Sequence, residues 1–325
     1  IKGMQLDSRR VRPGDLFLAL PGEQHDGRHF IEQAVANGAA AVLAEAPVAG
    51  FLEAIAVPLI ELPELRFEAG LLAARFYGNP SHSMHVLGIT GTNGKTTTSR
   101  IVAQLTRTLG KPCGVIGTLG AALEDGVTVA SNTTPDALSL QRQLAEWFEQ
   151  DVLAVSMEVS SHALEQGRVN GVAFETAIYT NLSHDHLDYH GSMAAYGRAK
   201  QRLFSVEGLR HAVINMDDPF GTSIKAAVAG DVQVLTYSAS GAPADVRVEN
   251  AQFHRDGVRG ELHTPWGDAT FFSPLPGHFN LANLAASVTA LVLGGEDLRS
   301  VLGATASLQP VPGRMQAIPN TLNIQ

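Results

Sequence analysis

The chain has 325 residues, 45% of them hydrophobic and 17% charged, with a formal net charge of −9. That length suits two domains, and the acidic balance leaves no general basic field for nucleic acid or a membrane surface. Cys113 is the only cysteine, which excludes an internal disulfide or a thiolate metal cluster, and no apolar run reaches a membrane span or forms a signal peptide. The expected setting is therefore the cytoplasm, with no nucleic-acid or membrane partner.

In chain order, residues 15–20 (DLFLAL) read as a short strand, 28–37 as a helix closed by Gly38, and 40–44 as a second strand. Residues 57–61 form a third, and 64–77 an amphipathic helix stopped by Gly78-Asn79-Pro80. The breaker-rich run 78–84 (GNPSHSM) marks a domain boundary. Beyond it, unbroken apolar runs at 86–90, 113–116, 152–157, 176–180, 212–215 and 232–237 predict buried strands. Helical patterns at 97–109, 136–150, 193–204 and 219–228 separate them, the signature of a largely parallel sheet covered on both faces. Three alternating segments over 244–273, with turns at Asp256-Gly257 and Trp266-Gly267, predict an antiparallel meander. Helices follow at 279–293 and 297–302. The fold class is thus α/β: a small N-terminal domain over 1–84, a mostly parallel sheet with a small antiparallel extension over 85–314, and a linker remnant at 315–325. Both ends of the chain look cut.

The segment GITGTNGKTT (88–97) follows a predicted strand and opens a helix. Glycines let backbone N–H groups turn around phosphate oxygens, and the helix N-terminus adds positive potential. Lys95 can reach the terminal phosphates of ATP, and the Thr96 hydroxyl can ligate Mg²⁺. The spacing is G-x-x-G-x-x-G-K-T, with Ile89 where the strict phosphate-loop pattern wants glycine. Glu158, at the carboxyl end of the predicted strand 152–157, is placed either to ligate Mg²⁺ or to act as a helix N-terminal charge. The segment NLSHDHLDYH (181–190) has the His186-x-x-x-His190 spacing of a zinc site. Beside a nucleotide, His186 completing a Mg²⁺ shell, oriented by Asp185 and Asp188, fits better than zinc or a solvated loop. Lys200, by pattern alone, is an ordinary exposed lysine.

Seven segments in order resemble the Mur ligases: GTNGKTT (91–97), SNTTPD (131–136), MEVSSHALEQGRV (157–169), TNLSHDHLDYHG (180–191), YGRAKQRLF (196–204), GHFNLANLAA (277–286) and PGRM (312–315). With LDSRRVRPGDLF (6–17), the likeness runs nearly the whole chain and is nearest to the members that add the third residue of the peptidoglycan stem peptide.

The resemblance implies an ATP-dependent ligase of cell-wall biogenesis, serving cell shape and division. ATP phosphorylates the D-Glu carboxylate of UDP-MurNAc-L-Ala-D-Glu, and a diamino acid, usually meso-diaminopimelate, attacks the acyl phosphate. It implies that Leu6, Ser8, Glu23, Gln24 and His25 hold the UDP end, and that Asn132, Thr133, Thr134, Ser160, Gln166 and Arg168 bind the muramoyl-peptide part. Gly91, Thr92, Asn93, Gly94, Lys95, Thr96 and Thr97 cradle ATP, with Asn280 and Asn283 near adenine and Arg314 near the ribose or phosphates. Thr96, Glu158 and His186 become Mg²⁺ ligands. Lys200 matches the family lysine that CO₂ converts to a carbamate, whose oxygens serve a second Mg²⁺. Lys95 and Lys200 are then the catalytic pair, in a protein expected to be a monomer.

Family members continue into a third domain that binds the incoming amino acid, and its Asp-Asn-Pro-Arg motif is absent here. The expectation is a chain that binds substrate without completing ligation. Two alternatives stand beside it, a non-catalytic nucleotide- and UDP-substrate-binding fragment and a ligase of folylpolyglutamate synthase type. The front segment 6–17 and Thr96-Thr97 weigh against the latter.

Overall fold

Parallel strands buried on both faces need no alternation of polar and apolar residues, and the apolar runs between 86 and 237 all form strands. The computed structural model describes residues 1–22, 25–48, 55–123 and 132–314. These fall into two units. One takes the described residues of Ile1–His82, Pro135–Glu146 and Glu165–Val172, the other those of Ser83–Thr134, Trp147–Leu164 and Ala173–Gln325.

The first unit holds a parallel sheet in the order β1 (Gly3–Gln5), β2 (Asp15–Ala19), β3 (Ala41–Glu45) and β4 (Leu59–Leu62). Residues alternate between its faces. Phe17 and Ala19 pack with Ile31 and Ala34 of α1 (Ile31–Ala36), while Met4 and Leu18 pack with Ala69 and Ala73 of α2 (Leu65–Phe76). The helix expected over 28–37 is a 3-10 turn (Gly27–Phe30) running into α1. β1 was not expected, because three residues are too few to show a period.

The second unit is built on β5 (His85–Thr90), β6 (Cys113–Gly117), β7 (Gly120–Ala122), β8 (Ala154–Glu158), β9 (Thr176–Tyr179), β10 (His211–Asn215), β11 (Gln233–Ser238), β12 (Val246–His254), β13 (Gly257–His263) and β14 (Ala269–Ser273). Their order in one sheet is β14-β13-β12-β11-β10-β9-β5-β8-β6-β7. Pairing is parallel from β12 through to β6 and antiparallel at the two ends. The predicted meander is present, and its first strand also continues the parallel sheet through β11.

Among the described residues the further α-helices are α3 (Lys95–Thr108), α4 (Ala137–Phe148), α5 (Ser161–Glu165), α6 (Leu187–His190), α7 (Met193–Gln201), α8 (Gly221–Ala227), α9 (Phe279–Leu293) and α10 (Leu298–Ala304). α9 is apolar nearly all round and buried, packing on α3, β10 and β11. Ile89, Ile101, Leu105, Leu284 and Val288 meet in the core between them.

Candidate active site

In this sheet β5 lies between β8 and β9, with Ile89 opposite Glu158 and Thr90 opposite Tyr179. Neighbouring parallel strands therefore release three loops at one edge, where open α/β sheets bind ligands. The glycine loop 91–94 leaves β5, Glu158 ends β8, and Thr180-Asn181 follow β9. Backbone and side-chain bonds lock the first loop to the third. Thr92 N donates to Asn181 O (2.8 Å), Asn93 N to Asn181 Oδ1 (2.9 Å), and Thr180 Oγ1 to Asn93 O (2.6 Å). Gly91 sits at φ 151°, and a Cβ there would lie 1.9 Å from Thr180 Oγ1. Only glycine allows this approach.

A pocket of about 530 Å³ opens over the loop. Thr92, Asn93, Gly94, Lys95, Thr96 and Thr97 form its floor, and Glu158, Asn283 and Arg314 reach it from other elements. Asn283 accepts from Thr98 Oγ1 (3.2 Å) and donates to Asn280 Oδ1 (3.2 Å), so Asn280 stands behind it and does not line the pocket. The positive φ of 86° at Gly94 goes with a second close approach, since a Cβ there would meet Asn283 Oδ1 at 2.7 Å.

Two lysines converge beneath the loop. Lys95 Nζ donates to Gly91 O (2.8 Å) and Thr92 O (2.9 Å), and Lys200 Nζ donates to the same Gly91 O (2.9 Å). Lys200 is only 1% exposed, which corrects the exposed-lysine reading. Tyr196, Gly197, Ala199 and Lys200 form the buried face of α7, and the ammonium lies 4.1 Å from the Tyr196 ring centroid. Burial, and next the charge of Lys95, press the Lys200 pKa down to about 6 against an opposing pull from Asp185. Burial also lowers that of Lys95, opposed by Glu158 and Asp185.

Glu158 is 1% exposed. Its Oε1 accepts from Thr118 N (2.8 Å) and Oε2 from Thr118 Oγ1 (3.1 Å). Glu158 and Thr96 give the pocket hard oxygen donors beside the phosphate loop, the donor type that Mg²⁺ takes. His186 is not among the pocket's lining residues. It is half exposed, its N–H donates to Asp185 Oδ1 (2.9 Å), and its ring lies 4.9 Å from that of His162. His190 turns away to Ser161 Oγ (2.9 Å). Among the described residues no three His, Cys, Asp or Glu side chains converge on a metal position.

The remaining candidates divide by unit. Leu6, Ser8, His25, Gln166 and Arg168 belong to the first, and Asn132, Thr133, Thr134 and Ser160 to the second. Glu23 and Gln24 lie outside the described residues. Ser8 Oγ donates to Gln33 (2.7 Å), and Leu6 packs against the Met4–Leu18 cluster. Thr133 lines the pocket, its hydroxyl 3.2 Å from that of Thr118, whereas Asn132 is exposed. Thr134 is buried and donates to Glu158 O (2.9 Å), while Ser160 Oγ accepts from Ala163 N at the start of α5. Sequence reasoning missed Thr118, Asn181 and Asp218. Asp218 accepts from Tyr179 Oη (2.7 Å), Leu182 N (2.9 Å) and Phe220 N (3.0 Å), pinning the start of the 181–190 segment. No local motif marks such a bond between distant loops.

Comparison with known proteins finds relatives of this chain. Residues 89–291 match the Mur ligase middle domain, and residues 1–77 match the domain described as the Mur ligase family catalytic domain. The UDP-N-acetylmuramoyl-L-alanyl-D-glutamate–2,6-diaminopimelate ligase of Ectopseudomonas mendocina (strain ymp) is 48% identical over 318 residues. That match covers 98% of this chain and 65% of the relative, so the chain spans less than two thirds of its relative's length. A solved structure of a ligase bearing the same reaction name superposes with a TM-score of 0.86 at 37% identity, covering 98% of this chain and 65% of the other. The apo folylpolyglutamate synthase of L. casei has a TM-score of 0.62 at 17% identity, over 78% of this chain and 70% of that one, a likeness of fold alone.

Proposed function

The chain belongs to the Mur ligase family, and on that footing we propose that it supplies the nucleotide and UDP-substrate sites of a carboxylate–amine ligase. The reaction joins 2,6-diaminopimelate to UDP-MurNAc-L-Ala-D-Glu, as the names of the relatives specify. The protein then works in the cytoplasm, as a monomer, in peptidoglycan precursor synthesis for cell shape and division. Residues 1–84 serve as its UDP-substrate domain and residues 85–314 as its ATP domain.

A carboxylate oxygen of D-Glu attacks the γ-phosphorus, the bond to the β-phosphate oxygen breaks, and ADP leaves. The diaminopimelate amine then attacks the acyl carbon, loses a proton and expels phosphate. Two anions must meet in the first step, so catalysis rests on position and charge. Backbone N–H groups at Gly94–Thr96 cradle the phosphates, and Lys95 moves from its loop carbonyls onto phosphate oxygens. Thr96 and Glu158 would hold Mg²⁺, with His186 a further donor on the 181–190 segment, and the ion would supply charge neutralisation.

A neutral Lys200 amine can add to CO₂, forming an N–C bond and releasing one proton. The carbamate would place a negative charge beside Lys95, adding attraction where the neutral amine gives none, and would offer oxygens to a second cation. The convergence of Lys95 and buried Lys200 on the Gly91 carbonyl, below the phosphate pocket, is what carries this reading. In the full-length protein, Lys200→Ala should depress ligation strongly, with bicarbonate giving no rescue. Turnover near wild type would reduce Lys200 to a packing residue.

A further inference from the structure

The first unit carries a second cationic cavity, of about 710 Å³, beside the edge strand β1. Lys2, Arg9, Arg10, Arg12 and Arg142 line it, against Asp15 as the one carboxylate. The whole chain has 23 basic and 32 acidic residues, so five cations to one acid is a local reversal of its charge. Arg9 is largely spent, since its exposed guanidinium pairs with Asp7 at 2.8 Å. Asp15 is also engaged. It is 5% exposed, its Oδ2 accepts from Arg12 N (2.9 Å), and a Cβ on Gly3 would strike Oδ1 at 2.6 Å.

Arg142 differs from the surface cations. Nε donates to Tyr77 Oη (3.1 Å) and Nη2 to Met4 O (3.0 Å), so two neutral acceptors aim the guanidinium while no carboxylate pairs with it among the described ion pairs. Asp136 and Glu146, on or beside the same helix, act on it only at a distance and do not line the cavity. A guanidinium fixed by neutral partners keeps its charge for a ligand, and its planar fork suits a phosphoryl or carboxylate group. Leu6 and Ser8, the proposed uridine-end residues, are absent from this lining, and the Ser8 hydroxyl is committed to Gln33.

We propose that this cavity is a phosphoryl-binding site separate from the phosphate loop, taking a group with at least two negative charges, such as pyrophosphate. Arg142 is its fixed donor, and Lys2, Arg10 and Arg12 supply mobile charge. The site stands apart from the ligase reading, because none of its residues belongs to that machinery.

Calorimetric titration of the Lys95→Ala chain, whose loop is disabled, tests the assignment with inorganic pyrophosphate and with ADP in parallel arms. One equivalent should bind, weakening about tenfold in Arg142→Met through loss of a charge-assisted bond. Arg12→Gln, an exposed change that leaves the backbone bond to Asp15 intact, should weaken it several-fold and steepen no unfolding. The tighter-binding arm identifies whether the source is a free oxyanion or a nucleotide. No binding once Lys95 is removed, or equal binding in the parent and both arginine variants, overturns the proposal.

Discussion

Two lysines donating to one carbonyl oxygen form a costly arrangement unless one of them is neutral, and Lys200 is the one whose pKa falls to about 6. The consequence for stability has a definite sign. Between about pH 6 and the ordinary lysine value, the unfolded chain binds a proton at Lys200 that the folded chain does not, so stability rises with pH. The maximum slope is about 1.4 kcal/mol per pH unit. In CO₂-free buffer, Lys200→Met should therefore be more stable than wild type below pH 6, with the gap closing steadily towards pH 10. A gap independent of pH, in urea titrations across that range, would show that Lys200 keeps its proton. A second test lies at Gly117, where an added Cβ would fall 2.1 Å from Glu158 Oε1. Gly117→Ala should push the carboxylate off Thr118, weakening Mg²⁺–ATP binding about tenfold for roughly 1–3 kcal/mol of stability. Binding isotherms with and without Mg²⁺ read this directly; the loss should vanish when Mg²⁺ is withheld.

At the scale of elements, the strand order explains which candidates meet. β5, β8 and β9 are adjacent, so residues far apart in sequence share one sheet edge. The sequence made the strands legible, because buried parallel strands are short apolar runs, and made α9 legible with its observed bounds. It made Lys95 and Glu158 legible through motif and strand end. It could not show Lys200 buried, since α7 has no strong period and its inward face is decided by what packs against it. Nor could it show Asp218, whose role is a bond across two loops. Asp218→Ala should strand the Tyr179 hydroxyl and Leu182 N–H, costing about 2–4 kcal/mol. Hydrogen exchange should quicken at Leu182, and the apparent affinity for Mg²⁺–ATP should fall as the 181–190 segment loosens. Unchanged exchange at Leu182 would mean that the segment is held by its bonds to Thr92 and Asn93 alone.

For the whole molecule, the family match rests on two domains, and the chain spans 65% of the length of the relative from Ectopseudomonas mendocina. Among the described residues no helix is long and apolar enough to cross a membrane. Cationic side chains line the pocket over the phosphate loop (Lys95, Arg314) and the cavity beside β1 (Lys2, Arg9, Arg10, Arg12, Arg142). The central claim concerns carboxylate activation by ATP, and oxygen transfer tests it most directly. The protein at its full natural length would be given ATP, Mg²⁺, diaminopimelate and UDP-MurNAc-L-Ala-D-Glu labelled with ¹⁸O in the D-Glu side-chain carboxylate. Isotope-shifted ³¹P NMR should then show one labelled oxygen in the released phosphate for each amide formed. Tripeptide formed with unlabelled phosphate would contradict the account.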